Sequence, residues 1–151
     1  MVEVSRETKW FNRYMALCDH IAQWSKDPTT KVGSVIIDTQ NRVVSMGYNG
    51  FPRGVRDNFT RLNSRETKHK FTCHAERNAL DQAPGSVEGC SLYVPLFPCN
   101  ECAKSIIQRG IRRVYTFVPD PNYDSPWNWD VTRQLFDEAR VDLVEYVKSD
   151  A

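Results

Sequence analysis

One histidine, two cysteines and a glutamate stand in two short runs, His74-Ala75-Glu76 and Pro98-Cys99-Asn100-Glu101-Cys102. An imidazole nitrogen and two thiolates can fill three of the four tetrahedral positions around zinc, leaving the fourth to water, as in catalytic rather than structural sites. Zinc held in this way lowers the pKa of water from roughly 16 toward about 7 and so supplies hydroxide at neutral pH. Glu76, two residues beyond the histidine, is near enough to move protons at that water without being a ligand. The alternative is a structural zinc with Cys73 or Cys90 as fourth ligand. Such sites are more often built from paired C-x-x-C units and have no use for the glutamate.

Positioning these groups takes two helix starts side by side. A helix is expected from near His74 through Ala79 and Leu80, stopping at Pro84-Gly85. A second is expected over residues 99–109, with Ala103, Ile106 and Ile107 inward and Gly110 as its C-terminal stop. Cys99 and Cys102 then point the same way from one turn, and the partial positive charge at a helix start favours thiolate over thiol.

The remaining elements follow from periodicity. Trp10, Tyr14, Leu17, Cys18 and Ile21 recur at helical spacing within residues 6–24, until Ser25-Lys26-Asp27-Pro28 ends the pattern. Residues 32–37 and 42–46 are β-branched runs about Asp38-Thr39-Gln40-Asn41 and predict an antiparallel hairpin whose first strand is buried on both faces. Strands at 91–94, 113–118 and 141–147 and a helix at 129–139 complete the order, after a loop at 119–128. The expected fold class is α/β, three layers α/β/α, around a mixed five-stranded sheet that opens with an antiparallel hairpin and continues in parallel.

The 151 residues are enough for one substantial core and too few for two, so a single domain, 1–151, is expected. A formal net charge of +1 gives no general attraction for long polyanions, and no stable nucleic-acid partner is expected. MVEVSRETKW lacks the apolar core of a secretory signal, and no apolar run nears the roughly 18 residues of a membrane span. A cytoplasmic location without a membrane partner is the expectation. There, five cysteines, two of them in a C-x-x-C, favour metal over disulfides. Cys18 and Cys90 read as small buried hydrophobes. Cys73 adjoins His74 and lies four residues after His69, which leaves a second, structural zinc open.

Between Phe51 and Lys70 the basic residues Arg53, Arg56, Arg61, Arg65, Lys68 and Lys70 face only Asp57 and Glu66. Such a stretch suits a small phosphorylated ligand; the alternative is a solvated loop. Just before it, Gly47-Tyr48-Asn49-Gly50-Phe51-Pro52-Arg53-Gly54 must turn and can bring backbone close to a ligand, or is simply the turn that leaves the hairpin. The segment onward to Phe71 has little periodicity and is expected to be a long loop.

The pair H-x-E and P-C-x-x-C marks zinc-dependent nucleobase deaminases. Together with Ser25-Lys26-Asp27-Pro28, GYNGFPRG at 47–54, Cys73-His74-Ala75-Glu76-Arg77-Asn78-Ala79 and Leu96-Phe97-Pro98-Cys99-Asn100-Glu101-Cys102-Ala103-Lys104, it makes the chain closely resemble deoxycytidylate (dCMP) deaminases, over about residues 7–147. HAE and PCxxC belong to the wider cytidine deaminase superfamily, whereas GYNGFPRG and LFPCNECAK are closer to the dCMP branch. The resemblance implies a cytidine deaminase-like fold, one catalytic Zn2+, hydrolysis of dCMP to dUMP, a homohexamer, and regulation by dCTP as activator and dTTP as inhibitor with Mg2+. It further implies that Asn49 contacts the substrate's deoxyribose and that Asn49, Gly50, Arg53 and Gly54 help form an effector site, with Arg53 on a phosphate. Lys26 and Tyr123 flank the substrate opening and are candidates for the nucleotide end of dCMP. Free cytidine, cytosine, guanine or tRNA adenosine are alternative substrates for the same chemistry, and a catalytically silent zinc scaffold is the alternative of another class. The resemblance gives no account of Pro126-Trp127-Asn128-Trp129.

Overall fold

The computed structural model describes residues 4–120 and 129–148. Helix α1 (Arg6–Ala22) starts where the Ser5 side chain accepts a hydrogen bond from the Thr8 N–H, a standard N-cap. It buries Phe11, Tyr14, Met15, Cys18, Ile21 and Ala22, while Trp10 and Leu17 sit half-buried at the margin. The apolar face is therefore turned slightly from the expected one, toward Phe11 and Met15. Strands β1 (Gly33–Ile37) and β2 (Val43–Tyr48) form the expected hairpin. Its turn is held by Asp38, whose Oδ1 accepts from the Gln40 and Arg42 N–H groups, and by Asn41 in the left-handed conformation (φ 61°). All five residues of β1 are buried.

Strand β2 runs two residues beyond the expected end, so Gly47 and Tyr48 belong to the sheet and not to the loop. The reason lies opposite. A Cβ on Gly47 would stand 2.4 Å from the Ala79 nitrogen and 2.6 Å from the Ala75 carbonyl oxygen, so glycine lets helix α4 (Ala75–Gln82) press against the strand. The stretch expected as a long loop contains two short helices, α2 (Phe59–Leu62) and α3 (Arg65–Phe71). Asn58 caps the first through Arg61 N–H and Ser64 the second through Thr67 N–H, and neither helix buries a residue. With no apolar stripe they left no periodic trace in the sequence.

The rest follows as β3 (Ser91–Tyr93), α5 (Asn100–Gln108), β4 (Arg113–Phe117), α6 (Trp129–Ala139) and β5 (Asp142–Tyr146). The sheet order is β2-β1-β3-β4-β5, antiparallel at β2/β1 and β1/β3 and parallel at β3/β4 and β4/β5. This is the mixed five-stranded sheet expected. Alternation sends Val35, Ile37, Tyr93 and Tyr115 to α1 on one face, and Ile36, Leu92, Val94 and Val114 to α4, α5 and α6 on the other. Two cores result, one on each side of the sheet, which gives the three layers. Among the described residues no helix is long and apolar enough to cross a membrane.

Candidate active site

Two crossover helices carry the three residues whose donor atoms could hold a metal ion. His74 is the N-cap of α4, in extended conformation (φ −70°, ψ 156°), and Cys99 is the N-cap of α5 (φ −73°, ψ 164°). The Cys99 sulfur accepts a hydrogen bond from the Cys102 N–H at 3.4 Å, so this side chain also completes the helix start. Nδ1 of His74 lies 3.3 Å from Cys102 Sγ and 3.5 Å from Cys99 Sγ, and the three donor atoms stand within 4.8 Å of one another. Zinc–nitrogen and zinc–sulfur bonds of about 2.0 and 2.3 Å place neighbouring tetrahedral ligands about 3.6 Å apart. The donor types and their spacing therefore fit zinc.

Neither Cys73 nor Cys90 joins this group, so among the described residues it has three donors and not the four of a structural staple. Nor do Cys73 and His69 gather a third donor for a second metal. Cys90 is buried, as expected of a small hydrophobe, and Cys18 is fully buried, its thiol donating to the Tyr93 carbonyl while burial pushes its pKa up to about 12.

The electrostatics of the cluster follow from crowding. A hydrogen bond from Cys102 holds the Cys99 thiol well below its ordinary range, and the same contact, with burial, pushes Cys102 up; Cys99 is the first sulfur to ionise. The hydrogen bond to Cys99 raises His74 against the opposing effect of burial. Glu76, on the first turn of α4, is buried, and desolvation raises its carboxyl above the ordinary range despite the pull of His74. A buried carboxyl with a raised pKa is a stronger base than a solvated one, and here it stands beside three side chains that could hold a metal.

Arg77, within the Cys73–Ala79 motif, braces the two helices. Its Nη2 reaches the Glu101 carbonyl and Ser105 Oγ, both at 3.3 Å, and so ties α4 to α5 one residue from Glu76. Nothing in its spacing announced this, because the partners lie on another helix.

Asn49 is buried and its amide is engaged on both sides: Oδ1 accepts from Val32 N–H and Nδ2 donates to the Thr30 carbonyl, each at 2.9 Å. Its own carbonyl accepts from Ser25 Oγ at 2.8 Å. Gly50 exchanges two backbone hydrogen bonds with Cys73, the residue before His74. The glycine-rich loop is thereby joined directly to the segment that presents His74. Gly54 takes φ 80°, a conformation other residues rarely adopt. Arg53 is exposed and makes one long hydrogen bond, 3.4 Å, to Gln82. Lys26 pairs with Asp57 at 2.9 Å. Tyr123 and residues 126–128 lie outside the described residues.

Comparison with known proteins agrees with this geometry. Residues 8–118 match the family model described as the cytidine and deoxycytidylate deaminase zinc-binding region. Deoxycytidylate deaminase of Mus musculus is 46% identical over 139 residues, 88% of this chain and 77% of that protein. The enzyme of the same name from Pongo abelii is 43% identical over 145 residues, 92% and 80% of the two chains. The crystal structure of dCMP deaminase from cyanophage S-TIM5 in complex with dCMP and dUMP superposes with a TM-score of 0.69 at 25% identity, over 95% of this chain and all of that one. A three-donor cluster, a buried glutamate next to it and similarity over most of the length all lead to one assignment: the chain belongs to the cytidine and deoxycytidylate deaminase family and is a deaminase, a hydrolase.

Proposed function

We propose that the protein hydrolyses dCMP to dUMP and ammonia. The observation that carries this is the buried carboxyl of Glu76 beside the convergent donors of His74, Cys99 and Cys102. Relatives that share more than two fifths of its residues are named deoxycytidylate deaminases, and the cyanophage enzyme has been seen with dCMP and dUMP, which supports the nucleotide as substrate.

His74, Cys99 and Cys102 would hold Zn2+, which when bound supplies the Lewis acidity that makes water a nucleophile at neutral pH. Glu76 takes a proton from the water that adds to C4 of the cytosine ring and delivers it to N3. It then collects the proton of the new C4 hydroxyl and passes it to the amino group. The C4–N4 bond breaks, ammonia leaves and uracil remains. The raised pKa of Glu76 suits the first half of this shuttle, since a carboxylate whose pKa is raised takes the water proton more readily than an exposed one does.

Asn49, Lys26 and Tyr123 are assigned to the substrate. Asn49 is held by Thr30 and Val32 with its amide fixed in place, which supports a preset orientation toward the deoxyribose. Asn49, Gly50, Arg53 and Gly54 are assigned to an effector site for dCTP, the activator, and dTTP, the inhibitor, with Mg2+. The exposed Arg53 guanidinium and the Gly50–Cys73 bridge toward His74 support that reading. The same reading carries a single domain, a homohexamer and a cytoplasmic location, without membrane or stable nucleic-acid partner.

Ultraviolet absorbance during incubation with dCMP, deoxycytidine and cytidine tests the proposal. Loss of the cytosine band is expected with dCMP and slower with the nucleosides. No loss with any of them removes the enzymatic reading, and faster loss with cytidine removes the nucleotide. Repeating the dCMP assay with each triphosphate and Mg2+ tests the regulation.

A further inference from the structure

Three contacts converge on Phe97 and Pro98, the two residues that lead into Cys99, and all three come from the start of α6. Thr132, fully buried, donates its hydroxyl to the Pro98 carbonyl at 3.0 Å. The Arg133 guanidinium carbon stands 4.7 Å above the Phe97 ring, and Trp129 meets that ring edge-on with centroids 6.2 Å apart. Arg133 is aimed in turn by β5: its Nη2 donates to Glu145 Oε1 at 2.8 Å and its Nη1 pairs with Oε2, a two-pronged ion pair. The matched family region ends at residue 118, so every one of these bracing groups lies beyond it.

We propose that Thr132 and Arg133, with Glu145 orienting the arginine, are positioning residues that fix the Cys99 ligand for the metal. The physical route is short. The Pro98 carbonyl belongs to the peptide plane from which the Cys99 φ angle turns, and φ −73° with ψ 164° is what places the Cys99 sulfur against the Cys102 N–H. A hydrogen bond to that carbonyl fixes the plane from outside the metal cluster. Proline contributes no N–H to hold the segment, so the backbone donor that would ordinarily serve is missing there. Phe97, buried between the guanidinium and the indole, anchors the residue before. Losing a group that orients a metal ligand without touching the metal typically costs about 10-fold to 100-fold in metal affinity.

This inference rests on Cys99 being a metal ligand, and the experiment separates the two ideas. Zinc transfer to a chromophoric chelator and the thiolate-to-cobalt charge-transfer band of the Co2+-loaded protein are measured in wild type, Cys99→Ala, Thr132→Val, Thr132→Ser and Arg133→Met, with far-ultraviolet circular dichroism as the check on folding. Thr132→Val is expected to weaken zinc binding about tenfold and to shift the cobalt band, whereas Thr132→Ser, which keeps the hydroxyl, stays near wild type. Arg133→Met is expected to weaken it a few-fold by freeing Phe97. A folded Thr132→Val with wild-type affinity and band overturns the positioning role while Cys99→Ala still loses the metal. If Cys99→Ala also binds as wild type, the ligand assignment itself is wrong. Should Thr132→Val fail to fold, the partly exposed Arg133→Met decides, and unchanged affinity there refutes the brace.

Discussion

The metal cluster and the basic stretch behind the glycine-rich loop are both dense in polar side chains, but they are wired in opposite ways. At the cluster, His74, Cys99 and Cys102 turn toward one another and converge on a single point. In the stretch from Phe51 to Lys70 much of the charge that looks unmatched is already answered within the chain. Lys68 reaches Asp27 at 3.0 Å with both side chains largely buried, Lys70 pairs with Glu66, and Arg61 lies over the Phe71 ring and donates to the Arg56 carbonyl. Asp57, counted as a partner for those cations, is taken by Lys26. Arg53, Arg56 and Arg65 make no ion pair among the described residues, and they are exposed. A surplus of charge in a sequence window is therefore a weak statement about ligands until the fold shows which partners arrive from elsewhere.

The largest break in this comparison is expected at Glu76. Glu76→Ala removes the proton carrier without removing a metal donor, so bound zinc measured by elemental analysis should stay near one per chain while dCMP turnover falls by roughly 100-fold to 10,000-fold. Near-normal turnover, or loss of the metal, would overturn the division of labour between the carboxyl and the three donors.

Next comes the helix that carries Glu76. Gly47→Ala sets a methyl group into the Ala75 and Ala79 backbone, where no flexible side chain can yield. Helix α4 must shift away from β2, costing about 1–3 kcal/mol as overpacking does and displacing His74. A lowered melting temperature together with faster zinc loss is the expected result; a lowered melting temperature alone would mean that α4 tolerates the shift without disturbing the ligand.

What was legible in the sequence divides along the same line. The α1, α4, α5 and α6 helices, the hairpin and the sheet composition follow from apolar periodicity and from Pro and Gly stops, since those signals are local. The metal donors were legible because two of them share one helical turn. Helices α2 and α3 were not, because they bury nothing; their only trace was Asn58 and Ser64 at cap positions. The end of β2 lies two residues beyond what the local signal indicates, because Gly47 looks like a turn residue beside its chain neighbours, whereas its role is to admit α4. Lys68 and Asp27, Arg77 and Ser105, and Thr132 and Pro98 were invisible for the same reason: each is a contact between residues far apart in the chain.

The Lys68–Asp27 pair gives a third effect, on stability alone and away from the metal cluster. Burial alone would raise the Asp27 carboxyl, but hydrogen bonds from the Thr29 and Thr30 N–H groups and from Lys68 outweigh it, and the folded-state pKa is lowered. A depressed carboxylate stabilises the fold fully above the unfolded-state pKa and loses that contribution as pH falls through the lowered folded value. Asp27→Asn should thus lower stability at pH 7 by about 1–3 kcal/mol, as for a charge-assisted hydrogen bond, and flatten part of the acid limb of a melting-temperature profile. An acid limb unchanged from wild type would show that Lys68 and Asp27 are merely neighbours.

Arg53 offers the mildest and most selective perturbation. Its one hydrogen bond, to Gln82, is long, and its guanidinium is exposed, so Arg53→Ala should leave folding and metal content intact. If the glycine-rich loop holds a triphosphate, the variant should lose several-fold in its response to dTTP with Mg2+ while dCMP turnover without effector changes little, since an exposed charged hydrogen bond contributes about 1 kcal/mol. Equal inhibition of both proteins would move the phosphate contact to another cation, and Arg56 and Arg65 are the next to test because they too lack an ion pair among the described residues. Because Gly50 is hydrogen-bonded to Cys73, a ligand that shifts this loop has a backbone path of one residue to His74. If dTTP binds there, that path makes a change in turnover, rather than in dCMP affinity alone, its expected signature.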